Sequence, residues 1–271
     1  MLFFFLYPVL YGIFISFFDY SLGEEKIFVA GRNYLAMFKD EQFIHSLKIT
    51  LIYIFFCVSS QLVLGVIIAL IFNVESAVSG FLRTLILIPT VLTPLVVGLL
   101  WKALYHPDQG VITYYLRELG MNIGRGLLVE RHSALLGIII IDIWEWTPLV
   151  AIIVLSGLKS LPRDPYEAGM LDGAGSFALF RFITLPLLRP TLLIAVLIRT
   201  LDAMKAFDII FATTNGGPGT ATTVTNLRIY EVGVQQLNVG YAASLSNVLL
   251  ILGIVLGVLF MKLLYSNENS I

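Results

Sequence analysis

Residues 49–72 of the chain read ITLIYIFFCVSSQLVLGVIIALIF, a stretch without a single charged side chain. A helix needs about 20 apolar residues to cross the hydrocarbon core of a bilayer, and this stretch provides them. Its apolar residues follow one another without the period-two alternation that the strands of a membrane barrel show. The stretch therefore predicts a membrane-spanning α-helix.

The composition of the whole chain agrees with a membrane location. Of its 271 residues, 58% are hydrophobic and 13% are charged, whereas an average soluble domain carries about a quarter charged residues. This composition excludes a soluble enzyme, a disordered protein and a collagen-like fibre. The net charge of -1 gives no basic surface for nucleic acid, and a single cysteine, Cys57, excludes an internal disulfide.

Five further stretches have the length of a span. Residues 1–18, 84–101 and 232–261 carry no charge, whereas 134–157 and about 190–211 reach the required length only with charged residues included. We therefore predict an all-α membrane protein whose six transmembrane helices form a single domain over residues 1–271.

The first stretch, residues 1–18, is open to two interpretations. It lacks a basic start and a small-residue cleavage site, which favours a retained helix over a cleaved signal peptide. An N-terminal tail ahead of Met1 also stays open. An even number of spans places both termini on one side of the membrane, and the basic residues of the connecting segments do not decide which side that is.

Residues 162–190, PRDPYEAGMLDGAGSFALFRFITLPLLRP, separate the fourth and fifth predicted spans and are too polar to form one. Pro165 suits the first turn of a helix, where its missing N–H is not needed. Tyr166, Met170 and Ala174 follow at intervals of four residues, which places them on one face of that helix. The segment therefore predicts a short amphipathic helix on the membrane surface.

The second half of this segment predicts a turn and another short helix. Gly173 and Gly175 permit a sharp change of direction. Pro186 and Pro190 are expected to end the second helix before the next span begins. The physical pattern alone leaves two roles open, a docking element for a partner and a plain interfacial helix.

The same segment resembles the EAA loop of the permease subunits of ATP-binding-cassette (ABC) importers. The matching residues are Glu167, Ala168, Gly169, Asp172, Gly173, Ala174, Phe180, Ile183, Leu185 and Pro186. Gly169 departs from the family pattern, which usually has a second alanine there, so a weaker local helix is expected. The EAA loop of such permeases is cytoplasmic, and the resemblance therefore implies that both termini lie in the cytoplasm.

A second resemblance points to the carbohydrate-uptake permeases that are similar to MalF and UgpA proteins. It rests on Phe207, Asp208, the sequence Thr-Asn-Gly-Gly-Pro-Gly at 214–219 and residues 240–246, while Arg83, Thr84, Pro89, Pro94 and Trp101 fit the third span of that family. The implied function is translocation of a mono- or oligosaccharide by alternating access. The alternatives are a polyamine, phosphate or other small solute carried by the same architecture, or an ion-coupled secondary transporter, which would need an internal repeat.

The resemblance also implies the partners. A homologous second permease, two ATPase subunits and an extracytoplasmic solute-binding protein are expected to assemble with this chain in the lipid of the cytoplasmic (inner) membrane. Loop 162–190 is then the coupling helix on the ATPase, with its contact formed by Tyr166, Glu167, Ala168, Gly169, Asp172, Gly173 and Ala174.

The sequence offers no catalytic chemistry of its own. It lacks the Gly-x-x-x-x-Gly-Lys phosphate-binding loop, so we expect ATP and Mg to be bound by the partner ATPase subunits and this chain to be a transport subunit, not an enzyme. His45, His106 and His132 are scattered, and no metal site is expected.

Polar residues inside the predicted spans are candidates for the substrate pathway. A charge at the bilayer centre costs about 2.5–3.5 kcal/mol on insertion scales, so it usually faces an interior or a water-filled path. The candidates are Asp142, Trp144 and Glu145 in the fourth span and Asp202 and Asp208 in the fifth. Carboxylates beside aromatic rings suit sugar hydroxyls and apolar sugar faces, although Trp144 also fits a membrane-interface anchor.

The fifth span allows a second interpretation of its charges. Arg199, Asp202, Lys205 and Asp208 recur every three residues with alternating sign, and side chains at this spacing lie within pairing reach on a helix. The pattern is therefore consistent with a structural ladder of ion pairs as well as with a pathway lining.

Overall fold

The computed structural model describes residues 2–73 and 79–268, most of which are helical. The helices are α1 (Leu2–Ile15), α2 (Arg32–Met37), α3 (Glu41–Asn73), α4 (Ser79–Ile86), α5 (Ile88–Val91), α6 (Pro94–Leu104), α7 (Val111–Glu118), α8 (Ala134–Lys159), α9 (Asp164–Leu171), α10 (Ser176–Leu179), α11 (Leu185–Ala203), α12 (Asp208–Thr213), α13 (Thr225–Tyr230) and α14 (Val239–Glu268). Two π-helical turns occupy Phe180–Thr184 and Glu231–Gln235, and strands β1 (Phe18–Asp19) and β2 (Ile27–Phe28) pair antiparallel.

Four helices in the described part of the chain are long and apolar enough to cross a membrane. They are Glu41–Asn73, Ala134–Lys159, Ser176–Ala203 and Val239–Leu264, and two shorter apolar helices cover Leu6–Ile15 and Pro94–Leu104. The predicted class, a helical membrane protein, is therefore confirmed. The count of six spans stays a prediction, because the first and third predicted spans contain only short apolar helices.

The third predicted span, 84–101, is not one continuous helix. The chain is interrupted between α5 and α6, where Leu92 and Thr93 adopt extended backbone angles with ψ of 148° and 139°. Thr93 precedes Pro94, and the proline ring disfavours a helical conformation for the residue before it. The third predicted span therefore consists of two helical segments joined at Leu92 and Thr93.

The fifth predicted span begins and ends earlier than expected. One helix runs from Ser176 to Ala203 and contains both prolines that were expected to end the preceding helix. The π-helical turn at Phe180–Thr184 comes directly before Pro186, and its wider hydrogen bonding accommodates a residue that lacks an N–H. The prediction of a break at Pro186 and Pro190 was therefore wrong.

Helices α3, α8 and α11 pack against one another and form the centre of the described structure. Their contact buries Tyr53, Cys57, Ile138 and Ile141, which are no more than 2% exposed. Apolar packing of this kind brings the polar side chains of the same three helices together in the interior.

A cluster at the N-terminal end of α3 joins this helix to α13 and α14. Asp40 accepts hydrogen bonds from the backbone N–H of Gln42 and from the hydroxyl of Tyr241, and it lies 3.5 Å from the Arg228 guanidinium. Partial burial favours the neutral acid, but the hydrogen bonds from Phe43 and Tyr241 and the charge of Arg228 outweigh it and hold the pKa of Asp40 below its ordinary value.

Candidate functional site

A hydrogen-bonded polar network lies in the buried contact between α3, α8 and α11. Asp142 on α8 accepts hydrogen bonds from the hydroxyl of Tyr53 at 2.8 Å and from Nε2 of Gln61 at 2.7 Å, both on α3. Gln61 Nε2 also donates to the backbone oxygen of Asp142 at 3.0 Å. Both carboxylate oxygens of this buried acid are therefore satisfied by neutral donors from one neighbouring helix.

Arg199 on α11 completes the network, although its side chain is only 1% exposed. Its Nε donates to Gln61 Oε1 at 2.8 Å and its Nη2 donates to Asp142 Oδ2 at 3.1 Å. The guanidinium also lies 4.9 Å from the ring centre of Trp146. An unpaired charge in this place would be costly, and the surrounding carboxylate, amide and aromatic ring offset that cost.

A second carboxylate shares the same guanidinium. Arg199 Nη1 donates to Asp202 Oδ2 one turn along α11, and the Asp202 side chain is 44% exposed, in contrast to the buried Asp142. Arg199 thus joins a carboxylate of the packed interior to one that is open to its surroundings. This difference makes Asp202 the accessible side of the ion-pair cluster.

A cavity of about 220 Å³ lies beside this cluster. Its lining combines carboxylates, a lysine and aromatic rings, contributed by Tyr53, Pro94, Asp142, Trp146, Asp202, Ala203, Lys205, Ala206, Phe207, Asp208 and Ile209. Three of the five candidates predicted from the sequence, Asp142, Asp202 and Asp208, therefore line one polar cavity. Such a lining can form several hydrogen bonds to a polar ligand and cover an apolar ligand face.

Glu145, the fourth candidate, is fully buried and is absent from the cavity lining. Neither of its carboxylate oxygens has a hydrogen-bond partner within residues 2–73 and 79–268. A buried polar group without a partner costs free energy, so this position is unusual among the acids of the bundle.

Trp144, the fifth candidate, lies apart from the carboxylates. It lines an apolar groove, its side chain is 38% exposed, and its ring centre is 5.5 Å from that of Trp101. The neighbouring Trp146 faces the polar cavity instead. Two positions along a helix differ by about 200° in direction, which explains why the two rings face different surroundings.

The charges of the fifth span do not form a ladder on one helix. α11 ends at Ala203, and Asp208 opens the separate helix α12. Among the four charged residues, the described structure contains the Arg199–Asp202 ion pair alone, while Lys205 and Asp208 reach the cavity from the segment between the two helices. The three-residue spacing thus predicted one pair correctly and did not extend beyond the helix end.

Tyr53 and Gln61 are members of the network that were not predicted from the sequence. Both lie within the charge-free stretch 49–72, which was used only to identify a span. Polar side chains within a membrane-spanning stretch usually face the bundle interior, and this was the available signal for Gln61. Its dual contact to Asp142 and Arg199 depends on helix packing and follows from no spacing in the sequence.

The segment 162–190 forms the predicted helix and turn. α9 ends in a Schellman motif, in which Ala174 N–H donates to Gly169 O at 2.9 Å and Gly173 N–H donates to Met170 O at 3.1 Å. Gly173 has a φ of +78°, so the turn requires its left-handed conformation. Ala174 lies beyond the end of α9, and the predicted apolar stripe therefore stops at Met170.

Gly169 lets α9 pack closely against the following helix. A Cβ at this position would lie 2.8 Å from Leu179 Cδ2 and 2.9 Å from Ile183 Cδ1. Helix α9 continues past Gly169 to Leu171, so the residue does not end the helix. The Tyr166 hydroxyl donates a hydrogen bond to Thr184 Oγ1 at 3.0 Å, and this bond further joins α9 to the helix that begins at Ser176.

The outer surface of this segment carries exposed apolar side chains. Met170 is 57%, Phe177 78% and Leu171 89% exposed, and Glu167, Ala168 and Asp172 are exposed beside them. The described part of this chain therefore leaves a mixed polar and apolar surface uncovered at the loop, a pattern typical of interaction sites.

The chain is similar in sequence to known membrane transport proteins. Residues 61–267 match the family described as binding-protein-dependent transport system inner membrane component. The chain is 37% identical to the trehalose/maltose transport system permease protein MalF of Thermococcus litoralis, over 86% of this chain and 79% of that protein. It is 30% identical to the sn-glycerol-3-phosphate transport system permease protein UgpA of Agrobacterium fabrum, over 87% of this chain and 80% of that protein.

A solved structure shares the fold. It is the bacterial alginate ABC transporter in complex with an alginate pentasaccharide-bound periplasmic protein, with a TM-score of 0.79 and 21% identity over 94% of this chain and 87% of that chain. At this level of identity the likeness supports the arrangement of helices and does not identify a ligand.

Proposed function

Because the chain belongs to the family of binding-protein-dependent transport system inner membrane components, as an ABC-importer permease subunit, we propose that it forms one half of a membrane pathway for a carbohydrate. The family predicted from the EAA-like and Gly-Gly-Pro residues is confirmed by this match. The observation that carries the pathway proposal is the polar cavity beside Asp142, Arg199 and Asp202 in an otherwise apolar bundle.

The chemistry of the cavity suits a polyhydroxylated ligand. Asp202 and Asp208 offer hydrogen-bond acceptors, and Lys205 offers a donor. Sugar hydroxyls both donate and accept hydrogen bonds, so they can pair with each of these groups. The rings of Trp146 and Phe207 provide surfaces for the apolar faces of a sugar ring. The relative MalF is named for trehalose and maltose transport, which agrees with a neutral saccharide as cargo.

The charges of the lining bear on the alternative cargoes. The lining contains three carboxylates, Asp142, Asp202 and Asp208, and one cation, Lys205, while Arg199 pairs with Asp142 and Asp202 from outside the lining. An excess of negative charge at close range disfavours phosphate or another anion and favours a neutral or cationic ligand. A polyamine is therefore the second candidate cargo, supported by this excess alone.

We assign loop 162–190 to coupling with an ATPase subunit. The part of the loop that follows the Gly173 turn belongs to the helix Ser176–Ala203, which also carries Arg199. The distance along this helix from Ser176 to Arg199 is about 35 Å at about 1.5 Å per residue. A rigid helix of this length can transmit a displacement at the loop to the polar network as a tilt.

The proposed assembly contains the partners expected of an ABC importer. A homologous second permease completes the pathway, two ATPase subunits bind ATP and Mg, and an extracytoplasmic binding protein delivers the cargo. In a six-span topology with both termini in the cytoplasm, the loop around Gly-Gly-Pro at 216–218 and loop 162–190 lie on opposite faces of the membrane.

Transport by the reconstituted complex tests the function. Proteoliposomes that contain the chain, its second permease, the ATPase and the binding protein are supplied with labelled trehalose, maltose, spermidine or glycerol 3-phosphate. We expect ATP-dependent uptake of a disaccharide and its loss in Asp202→Ala. Uptake of spermidine alone would favour the polyamine, and uptake driven by an ion gradient without ATP would contradict an ATP-driven importer.

Labelling of single cysteines tests the topology. Thr220→Cys and Ser176→Cys replace exposed residues of the two loops, in a Cys57→Ala background that removes the single native cysteine. A membrane-impermeant maleimide should label Thr220→Cys from outside intact cells and Ser176→Cys only after permeabilisation. Labelling of both from one side would contradict the six-span arrangement.

A further inference from the structure

A second polar cavity lies where two membrane helices end. It has a volume of about 640 Å³ and lies between the C-terminal ends of α3 and α8 and helix α9. Asn73, the last residue of α3, and Lys159, the last residue of α8, both line it. Because α3 and α8 have the length and hydropathy of spans, we expect their C-terminal ends, and with them the cavity, near the membrane surface.

Two basic side chains in the lining have no ion-pair or side-chain hydrogen-bond partner among the described residues. Lys159 and Arg163 are exposed, and neither forms an ion pair or a side-chain hydrogen bond within residues 2–73 and 79–268. The acidic residue of the lining is Glu167, so the wall carries more positive than negative charge. Lysine and arginine side chains bind phosphate groups through charge-assisted hydrogen bonds.

The remaining wall combines apolar and polar residues. Leu70 of α3, Leu158 of α8 and Leu161, which follows the end of α8, contribute apolar side chains to it. A phospholipid passes from acyl chains through a glycerol ester region to its phosphate at this depth of a bilayer. Ligand pockets usually measure about 300–1,000 Å³, a range that includes this cavity.

We propose that this cavity binds the headgroup of an anionic phospholipid, with its phosphodiester between the Lys159 ammonium and the Arg163 guanidinium. Basic pockets between membrane helices on the cytoplasmic side bind anionic headgroups in other membrane proteins. This inference goes beyond the proposed function, because it requires the placement of α3 and α8 in the membrane and neither a particular cargo nor ATP hydrolysis.

The position of the cavity gives the lipid a contact with the coupling segment. Tyr166 and Met170 of α9 line the same cavity. The Tyr166 hydroxyl also donates a hydrogen bond to Thr184 in the helix that begins at Ser176. A bound headgroup therefore contacts the face of α9 that carries Tyr166 and Met170, and it leaves the exposed residues Ala168, Leu171 and Asp172 for a protein partner.

Native mass spectrometry of the purified full chain tests the proposal. The probes are dioleoyl phosphatidylglycerol, dioleoyl phosphatidylcholine and inorganic phosphate as a competitor. We expect tighter binding of phosphatidylglycerol than of phosphatidylcholine. The double variant Lys159→Gln/Arg163→Gln should weaken phosphatidylglycerol binding by about fivefold for each residue removed, hence roughly 20- to 30-fold in total.

A matched double variant provides the control. Arg181 and Arg189 are also exposed basic residues and belong to the helix Ser176–Ala203, but they do not line the cavity. Arg181→Gln/Arg189→Gln should bind phosphatidylglycerol as the wild type does, and circular dichroism should report equal helix content for all variants.

Three results would overturn the proposal. The first is equal affinity for phosphatidylglycerol and phosphatidylcholine, and the second is equal weakening by the two double variants. The third is complete displacement of the lipid by millimolar inorganic phosphate, which would identify a site for free phosphate instead. None of these results bears on whether the reconstituted importer transports a sugar, so failure of this proposal is distinguishable from failure of the proposed function.

Discussion

The interior network and loop 162–190 show opposite arrangements, because the network buries charged side chains and the loop exposes apolar ones. In the network, Arg199 is 1% exposed and each of its described contacts is made by a side chain of the same chain. In the loop, Leu171 is 89% and Phe177 78% exposed. The bilayer interior offers no water, so buried polar groups must be satisfied internally, whereas a surface segment can leave its contacts to a partner.

This difference separates two kinds of sensitivity to mutation. Substitutions in the network should change the stability of the chain itself, because each group is the partner of another. Substitutions in the loop should leave the chain folded and change what the assembled complex does. The helix Ser176–Ala203 belongs to both regions and is the physical connection between them.

The largest expected effect is that of Arg199→Met. It leaves Asp142 in the interior without its cationic partner, and breaking a buried ion pair in this way costs about 3–5 kcal/mol. Thermal melting of the detergent-solubilised chain, followed by size-exclusion chromatography, measures the loss. Arg189→Met on the same helix is the control, since Arg189 is exposed.

A second variant separates the charge from the packing at this position. Arg199→Met/Asp142→Leu removes both charges and should recover much of the lost stability, because a buried pair replaced by apolar residues is often neutral. If Arg199→Met melts like the wild type, the network does not stabilise the fold and the contrast between the two regions fails.

A smaller loss is expected for Asp202→Ala. Arg199 keeps Asp142 and Gln61 and loses one hydrogen bond to a charged group, worth about 1.5–3 kcal/mol. Because the Asp202 side chain is 44% exposed, we expect the complex to assemble and transport to fall. Quantified complex after affinity purification and uptake by the same preparation measure the two effects, with Asp202→Asn as the conservative control.

The two outcomes of this experiment distinguish the two interpretations of Asp202. Reduced assembly with transport reduced in proportion would make it a structural member of the network. Normal assembly together with normal transport would show that Asp202 belongs to neither the network nor the pathway.

The proposed coupling role of loop 162–190 is tested by Gly173→Val. A β-branched residue at a φ of +78° is strained by about 1–2 kcal/mol, and an added Cβ meets no other atom within 4 Å, so the effect is one of backbone conformation. We expect near-normal accumulation, with substrate-stimulated ATP hydrolysis and uptake reduced together. Both are measured on the same vesicles.

Gly175→Val is a matched control for this variant. Gly175 also has open space at its Cβ position, but its φ of -75° and ψ of 167° suit any residue. Glu167→Lys tests the same loop by reversing a charge in the first turn of α9, where the helix dipole favours an acid. Full coupled activity in both Gly173→Val and Glu167→Lys would reduce the loop to an interfacial helix.

The smallest expected effect concerns the partly exposed ion pair of Asp40 and Arg228 at the edge of the helix bundle. The pKa of Asp40 is held below its ordinary value, so its contribution to stability is fully present above the unfolded pKa of about 3.9 and is lost as the pH falls through the folded pKa. The partly exposed pair of Asp40 and Arg228 should contribute up to about 1 kcal/mol.

Comparison of Asp40→Asn with the wild type measures this contribution. The difference in melting temperature between the two should be largest near about pH 6 and should shrink toward about pH 3. Glu41→Gln, a substitution of the exposed neighbouring acid, is the control. A difference that does not depend on pH would show that the charge of Asp40 does not stabilise the fold.

The sequence by itself predicted features that depend on neighbours along the chain. Runs of apolar residues identify spans because a bilayer requires a fixed length of them, and the Gly173 turn follows from local backbone conformation. The local rule on the residue before a proline agrees with the break at Thr93 and Pro94. The local expectation failed at Pro186, where a π-helical turn carries the chain through the proline.

The sequence also supplied the acids Asp142, Asp202 and Asp208, since charges in an apolar run stand out by their cost. Only the tertiary structure decided that Arg199 pairs with Asp142 on another helix and that Gln61 contacts both. Spacing along one helix fixes which residues share a face, but the crossing of α3, α8 and α11 determines which faces meet. For that reason a buried pair between residues far apart in sequence depends on packing and cannot be derived from periodicity.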